Sequence, residues 1–394
     1  MYHFIYPNKD SYIYELGTNS EKNFGGDSIL SLKKDIDGYK TGSLNGVSRI
    51  LLHFNLNEFS QSIVDGDIPK LDSAHPASAS VYLRLYDKKT SELFPTYTLA
   101  ALPLSQSWVE GSGYTNQNPN SRDGVSWERR NQNFLHDDTL WSVFSGSGAP
   151  ASSGSRSKGG GVWVTGSNVA YASQSFSYES PDVNMDVTTM VSRWLGGEST
   201  LSATKPKILN NGLVLKWSGS QETSAEHSGD INFYSFEGSS IFSPKLEVKW
   251  DNHTACSGSN TGSLVSLGSF LKNDTYLYPI NLKSEYKETD NPKIRIGGRR
   301  EIFSKTTQTT YSQRKPNFAP EKSGSYSIID LETNKTIIPF GEYSYLSCDE
   351  TSNYFKLKLN SFINNRNYKL LLRLKYNDGG IKIFDNNNIF KVVK

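Results

Sequence analysis

The chain is poor in the residues that carry metal and redox chemistry. Its 394 residues include two cysteines, six histidines and three methionines. Cys256 and Cys348 lie far apart in the sequence, and Cys256 falls in a Ser/Gly-rich stretch, so we expect no disulfide framework. The histidines are scattered and lack the ligand spacing of a zinc site. We therefore expect neither a metal nor a cofactor.

Long hydrophobic runs are also missing. No apolar run approaches the roughly 20 residues that cross a bilayer as a helix, so a membrane partner is not expected. Residues 1–10 lack the basic and apolar regions of a secretory signal peptide. This predicts a protein that is made and used without Sec export.

The common catalytic motifs are absent from the sequence. It contains no G-x-S-x-G, no H-E-x-x-H, no G-x-G-x-x-G and no P-loop pattern. Neighbouring acids such as Asp137 and Asp138 lie in polar segments, which is typical of solvated surface. Glu110 is the best single carboxylate, and we favour a structural role in which it accepts backbone N–H groups, with calcium or sugar contact as the alternative. The sequence predicts that the protein is not an enzyme.

Alternating hydrophobic residues are abundant and indicate strands. Ile50, Leu52 and Phe54 share one face of a predicted half-buried strand, and residues 80–86, 213–217 and 245–250 repeat this period of two. Glycine (32 residues) and aromatic residues (12%) are frequent, which suits strands joined by turns. Only residues 186–195 have helical spacing, with an aspartate at the start and glycine after the end. We predict an all-β protein with one short helix.

The length of the chain and a polar central stretch predict two domains. A chain of 394 residues exceeds what one hydrophobic core usually serves. Residues 253–270 are mostly small and polar and are predicted to form a linker. Residues 1–252 then form a first β-sandwich with a long loop insert at 109–161. Residues 271–394 form a second, immunoglobulin-like β-sandwich that folds alone.

Charge is unevenly distributed between the two parts. Residues 271–394 contain 21 Lys+Arg and 13 Asp+Glu, a net charge of +8, and residues 1–270 contain 21 and 27, a net charge of −6. Fields of opposite sign can orient subunits in an assembly. The alternative is two surfaces of different composition with no partner implied.

Several stretches of the first domain share an order and spacing with a known family. They are residues 10–13, 23–26 (Asn-Phe-Gly-Gly) and 29–32; residues 48–56 (Ser-Arg-Ile-Leu-Leu-His-Phe-Asn-Leu); residues 107–111 (Ser-Trp-Val-Glu-Gly) and 124–127; and residues 185–194, 211–216 and 242–248. The series resembles the DNRLRE or disaggregatase-related domains, which are jelly rolls akin to carbohydrate-binding modules. The resemblance implies a jelly-roll-like sandwich with a structural or adhesive role, and it transfers no catalytic residues. Asn55 stands where the family usually has Asp, and the long insert after Trp127 departs from the family.

Short strings in the second domain carry another resemblance. They are residues 325–328 (Ser-Tyr-Ser-Ile), 338–340 (Ile-Pro-Phe), 347–349, 353–355 and 389–394. These strings are similar to the terminal sandwich of virion proteins in large tailed phages. The resemblance implies a protein that assembles into a particle.

Residues 109–161 interrupt the alternating pattern. Long irregular segments of this kind are usually functional or ordered by a partner, so we predict a subunit-contact arm. Aromatic and arginine side chains are enriched at interface hot spots, which gives the interface candidates Trp108, Trp127, Phe134, Leu135, Trp141, Phe144, Trp163, Arg299 and Arg300. For the tryptophans, stacking against sugars and burial in the core are the alternatives. The arginines form too narrow a patch for a nucleic-acid partner.

These observations predict a non-enzymatic virion structural protein of a tailed bacteriophage, at the neck or tail, that docks to neighbouring subunits. Its partners would be other virion proteins in a homo-oligomeric or ring-associated arrangement, with a glycan as a further candidate. It would be located in the virion, which is assembled in the host cytoplasm. The alternative function is a carbohydrate-binding or adhesive module. A polysaccharide-degrading enzyme is the third hypothesis.

Overall fold

The computed structural model describes the chain except for residues 16, 36–45, 72–77, 92, 118–120, 122, 133–137, 142–158, 167–169, 197–206, 224–227, 239, 263, 268–274 and 302–316. The chain divides into two compact units. The first contains Ile5–Val248, and the second contains Lys249–Lys394 together with Met1–Phe4. In the described part of the chain, no helix is long and apolar enough to cross a membrane.

Strands account for most of the regular structure. They are β1 (Tyr2–Ile5), β2 (Pro7–Tyr14), β3 (Ile29–Asp35), β4 (Gly46–Phe54), β5 (Ser80–Leu85), β6 (Asp87–Ser91), β7 (Thr96–Pro103), β8 (Arg129–Asn131), β9 (Thr139–Leu140), β10 (Ala172–Ser177), β11 (Val183–Asp186), β12 (Leu213–Trp217), β13 (Gly229–Tyr234), β14 (Lys245–Lys249), β15 (Thr275–Pro279), β16 (Glu285–Lys287), β17 (Lys293–Arg300), β18 (Gly324–Asp330), β19 (Thr336–Ile338), β20 (Ser347–Cys348), β21 (Asn353–Lys356), β22 (Arg366–Lys375) and β23 (Ile381–Val393). The helices are α1 (Asn57–Val64), α2 (Thr188–Leu195), α3 (Ser220–Thr223) and α4 (Gly258–Thr261). The prediction of an all-β protein is confirmed.

The first unit is a β-sandwich. Its larger sheet has the order β10-β7-β12-β4-β3-β13-β6, and β2 also pairs with β4. In the second sheet β14, β5 and β11 are neighbours in that order. Strand β2 pairs with β4 from Ser48 to Phe54, whereas β3 pairs with the start of β4 at Gly46 and Val47. Strands β2 and β3 therefore pair with different segments of β4 and diverge from one another beside it.

Strand β4 is buried on both faces. Successive side chains of a strand point to opposite faces, so Leu51 lies on the face opposite Ile50 and Leu52, and all three are fully buried. Leu51 belongs to a core cluster that includes Leu104 and Val162. The segment that follows β7 therefore supplies a second layer of core over this sheet.

Helix α2 occupies the segment for which the sequence predicts a helix. It spans Thr188–Leu195, and the Asp186 carboxylate accepts the backbone N–H of Thr188 at 2.9 Å. Gly196 ends the helix in the left-handed conformation with φ of 71°, a geometry that glycine adopts at little cost. The structure adds α1, α3 and α4 to the one helix that was predicted from the sequence.

The second unit has two further sheets. Their orders are β15-β17-β21-β20 and β16-β23-β22-β18-β19, and β16 pairs with β23 in parallel. The first residues of the chain pack in this unit, because the rings of Tyr2 and Tyr343 lie 6.2 Å apart, as do those of Phe4 and Phe362. The fragment 271–394, which the sequence analysis expects to fold alone, lacks these contacts.

The segment predicted to be a linker is part of the second unit. Leu267 donates its N–H to the carbonyl of Phe318 at 2.8 Å, and Phe318 donates to Val265 at 3.0 Å. Cys256 and Cys348 form a disulfide bond, which corrects the expectation of no disulfide. The two cysteines are 92 residues apart, but the N–H of Cys348 bonds to the carbonyl of Thr254, so the fold brings the two segments together.

The disulfide should stabilise the second unit. A bond that closes a loop of this length removes chain entropy from the unfolded state, and such bonds typically contribute about 2–4 kcal/mol. We expect the double variant Cys256→Ser, Cys348→Ser to lose that amount in urea unfolding followed by circular dichroism. The wild type in reductant should shift by a similar amount, whereas the double variant should not respond to reductant. Equal wild-type midpoints with and without reductant would contradict the prediction.

Candidate binding site

The four tryptophans proposed as interface residues are core residues of the first unit. Trp108, Trp127, Trp141 and Trp163 are 3–8% exposed and share a cluster with Ile13, Val47, Leu51, Leu104, Val125, Val162 and Val214. The indole N–H of Trp108 donates to the carbonyl of Asn211, and that of Trp141 to Ser126, both at 3.1 Å. These rings therefore offer little surface to a sugar or a neighbouring subunit. Phe134, Leu135 and Phe144 lie outside the described residues.

A buried ionic network holds the tryptophan layer to the sheet. The guanidinium of Arg49 lies 4.8 Å from the ring centre of Trp127 and 5.2 Å from that of Trp163. Its Nε donates to Glu222 Oε1 at 2.8 Å, and Lys216 bonds the other carboxylate oxygen at 2.5 Å. Burial alone would raise the pKa of Glu222, but the charges of Arg49 and Lys216 hold it below its ordinary value. Arg49 of the Ser-Arg pair at residues 48–49 thus has a structural function.

The hydrogen bonds of Asn23 give the Asn-Phe-Gly-Gly sequence at residues 23–26 a structural role. Its side-chain amide donates to the carbonyls of Glu110 and Val125, and its carbonyl accepts the N–H of Gly25 and of Gly113. One buried side chain therefore joins three loops. A Cβ on Gly25 would come within 2.4 Å of the carbonyl oxygen of Glu110, so the close approach of these loops requires glycine there.

Three carboxyl groups meet where these loops meet strand β2. Oxygens of Asp10, Glu110 and Glu237 all lie within 4.8 Å of one another. Glu110 accepts the backbone N–H of Asp10 at 2.6 Å, which is the structural role expected for it, and Asp10 accepts the N–H of Phe236 at 2.9 Å. Burial and the neighbouring carboxyl of Glu237 raise the pKa of Asp10 to about 9, and burial raises that of Glu110 to about 7. The group can share protons, and among the described residues these three carboxyl groups could also hold a hard cation.

The raised pKa of Asp10 should make the first unit less stable at high pH. The pKa of Asp10 is about 9 in the folded state, against an ordinary value of 3.8. Between these two pH values, the folded state binds a proton that the unfolded state does not. Stability must then fall as pH rises through the window. We expect the urea midpoint to decrease over this range and to decrease less in Asp10→Asn, with the exposed Asp65→Asn as control. The same decrease in Asp10→Asn as in the wild type would contradict this assignment.

The arginines proposed at an interface lie on strand β17 of the second unit. Arg299 and Arg300 are at its end, where Arg299 lies over the ring of Tyr276 at 5.0 Å. Arg295 is directed elsewhere, because its guanidinium donates to Asp349 at 2.9 Å. Arg295 and Lys293 together hold the pKa of Asp349 well below its ordinary value, despite partial burial. The three arginines therefore do not act as one basic cluster.

The best candidate site lies in the first unit, where β2 and β3 part. A cavity of about 350 Å³ is lined by side chains of β2, β3, β4, β13 and two loops: Tyr12, Tyr14, Asn19, Phe24, Ile29, Ser31, Lys33, Ser48, Thr115, Asp230 and Asn232. Sites for small ligands are typically of this size and combine ring or apolar walls with a few placed polar groups. We call it the β2–β3 cavity.

Contacts within the β2–β3 cavity fix several of its polar groups. Tyr12 stacks on Phe24 with ring centres 4.3 Å apart, and its hydroxyl bonds Thr115 at 2.8 Å and Asp27 at 3.2 Å. On β13, the Asn232 amide donates to Asp230 at 2.8 Å, and Asp230 lies opposite Lys33 of β3 in the strand register. The cavity thus presents a carboxylate, an amide, an ammonium group and hydroxyls beside the half-buried ring of Tyr14, whereas the rings of Tyr12 and Phe24 are buried behind them.

The residues of this cavity were not predicted from the sequence as site residues. Asp230 and Asn232 alternate with the buried Ile231 and Phe233, so the available signal was the polar face of a strand. That pattern is shared by most half-buried strands. The pattern indicates a binding site only once the fold is known to place β13 beside β2 and β3.

The fold and this cavity define an all-β, β-sandwich protein with a polar and aromatic cavity in its first unit. No family model matches the chain, and no curated protein matches it. Among solved structures, the chain aligns with the adhesin domain of Epf from Streptococcus pyogenes at 8% identity and a TM-score of 0.17, over 98% of each chain. A TM-score this low supports no conclusion about the fold or the function of this chain.

Proposed function

We propose that this chain is a non-enzymatic, adhesive protein whose first unit binds a glycan in the β2–β3 cavity. The observation that carries the proposal is the composition of the cavity, in which Asp230, Asn232 and Lys33 stand beside the half-buried ring of Tyr14. Sugar hydroxyls both donate and accept hydrogen bonds, so a carboxylate and an amide can each be satisfied by them. The apolar face of a sugar ring can lie against an aromatic wall.

Preorganisation supports the same proposal. Asp230 and Asn232 are held by one another, and Tyr12 is held by Phe24 on one side and by Thr115 and Asp27 on the other. Side chains fixed before binding lose less conformational entropy when the ligand arrives. We propose binding without turnover, and the proposal is supported by a cavity whose described lining residues include no matched general acid and base.

The test is a screen of the intact chain against an array of bacterial surface glycans. We expect selective binding of one glycan class, and Asp230→Asn should weaken it at least tenfold, equivalent to about 1.4 kcal/mol. Glu179→Gln, which removes an exposed carboxylate elsewhere in the same unit, should bind like the wild type. Thermal melts of both variants control for folding. Binding that Asp230→Asn leaves unchanged would refute this assignment of the site.

A second candidate is the virion structural protein of a tailed phage that the sequence suggests. The observation that favours it is the exposed apolar side chains of β23 in the second unit, where Ile381, Ile383 and Ile389 are 47%, 53% and 37% exposed. Apolar groups of this kind on a sheet suit a subunit contact. The disulfide fits a particle surface, where such bonds persist. Fixed stoichiometry with purified phage particles would support this role, and absence of the protein from such particles would exclude it.

A further inference from the structure

One side of β22 and β23 in the second unit is exposed and partly apolar. Residues that lie opposite one another on paired strands project to the same side of a sheet. Three isoleucines of β23 therefore share a side with three cations of β22, in the pairs Lys369–Ile389, Arg373–Ile383 and Lys375–Ile381. All three isoleucines are exposed, whereas the other side of the same strands is buried core. We call the exposed side the β22–β23 face.

The β22–β23 face is cationic. Lys391 continues it along β23, and Lys287 of β16 joins it opposite Val393. The described residues of the face thus include five lysine or arginine side chains and two acidic ones, Glu285 and Asp385, a net charge of +3. Two such faces would repel one another, because like charges across an interface cost free energy. The partner of this face should therefore be acidic.

Helix α1 in the first unit presents a complementary surface. Residues three, four or seven apart lie on the same side of a helix, so Glu58, Gln61 and Asp65 project together into solvent. Val64 lies beside them and is 76% exposed. Residues 55–69 contain three acidic residues and no lysine or arginine. An exposed valine among acids in α1 thus matches exposed isoleucines among cations on the β22–β23 face.

We infer that the β22–β23 face of one copy docks on helix α1 of a second copy of this chain. The net charges of +8 for residues 271–394 and −6 for residues 1–270 favour this pairing over contact between like units. Because the two surfaces differ, the contact is head to tail, and its repetition produces a ring or an open chain of copies. A helix of eight residues gives a small interface, so the contact is weak and reversible.

The test is sedimentation velocity of the intact chain over the micromolar range. We expect the weight-average sedimentation coefficient to rise with protein concentration, and to rise less at about 1 M salt, where the Debye length is about 3 Å. Ile383→Glu should weaken association by about tenfold or more, because it places an anion on the apolar part of the face. Ile280→Glu is the matched control, since Ile280 is similarly exposed (48% against 53%) but follows β15 in the other sheet. Thermal melts of both variants control for folding.

Charge reversal identifies the partner surface. Lys375→Glu on the face and Asp65→Lys on α1 should each weaken association. An equimolar mixture of the two variants should associate again, because it can form both a wild-type pair of surfaces and a charge-reversed pair. Asp230→Asn should leave association unchanged, since the inference does not rest on glycan binding. Failure of this contact and failure of the β2–β3 cavity are therefore distinguishable.

Four outcomes would overturn the inference. They are a chain that stays monomeric over this range, equal effects of Ile383→Glu and Ile280→Glu, association that Asp65→Lys leaves unchanged, and a mixture of the reversed variants that does not associate. A monomeric chain that co-sediments with phosphatidylglycerol vesicles, and loses this binding in Ile383→Glu, would identify an anionic lipid surface as the occupant of the face in place of a second copy.

Discussion

Arg49→Ala should lower the free energy of unfolding of the first unit by about 3–5 kcal/mol, which is the range observed when one partner of a buried ion pair is removed. Arg49 is 5% exposed, pairs with Glu222, donates to the carbonyl of Gly160 and lies over two tryptophan rings. Loss of the Arg49 side chain leaves Lys216 as the remaining ion-pair partner of Glu222. It also removes the cation that lies over the rings of Trp127 and Trp163. Urea unfolding followed by tryptophan fluorescence reports this unit, because six of the seven tryptophans lie in it.

The matched control is Arg129→Ala. Arg129 also has carboxylate partners, with Asp138 at 3.1 Å and Glu21 at 3.4 Å, but it is 22% exposed and Glu21 is 53% exposed. Exposed ion pairs contribute about 0–1 kcal/mol, so this variant should stay within that range. Equal effects of the two substitutions would show that the Arg49 network does not hold the tryptophan layer.

Trp194→Ala should destabilise the first unit by about 3–5 kcal/mol, as truncation of large aromatic side chains in cores does. The indole is 4% exposed at the end of α2, next to Arg193, whose carbonyl accepts the N–H of Ile208. The substitution leaves a cavity where α2 meets the segment before β12. Denaturant unfolding measures the loss.

The control for this truncation is Tyr171→Ala, which removes an aromatic ring that is 49% exposed. Surface substitutions of this kind usually change stability by about 0.5 kcal/mol or less. A loss below about 1 kcal/mol for Trp194→Ala would mean that the helix end is not packed as described.

Much of the fold follows from local pattern, because burial on one face imposes a period of two. The alternating residues of β5, β12 and β14 were predicted as half-buried strands and all three are strands. Burial alternates along β5, whereas β12 and most of β14 are buried on both faces. Helix α2 was predicted because an amphipathic stretch ends at a glycine, and Gly196 has the left-handed conformation that such an end requires. Helix α1 was not predicted, since eight residues with one buried side chain, Phe59, carry too weak a periodic signal.

Features that depend on long-range contacts were not predictable from pattern. The pairing of Cys256 with Cys348 depends on how the second unit folds. Trp108, Trp127, Trp141 and Trp163 were assigned to an interface because long irregular segments such as residues 109–161 are usually functional or ordered by a partner. The structure instead packs them against Leu51 and Arg49, because β4 has two buried faces. The same limit applies to the β2–β3 cavity, whose residues come from strands far apart in sequence.

Calorimetric titration of the intact chain with the glycan selected by the array, followed by analysis of the recovered glycan, tests the central claim most directly. The account predicts saturable binding that is lost in Asp230→Asn and retained in Glu179→Gln, with the glycan recovered at its original length. Absence of binding, or recovery of a shortened glycan, would contradict the proposal that this protein is a non-enzymatic glycan-binding module.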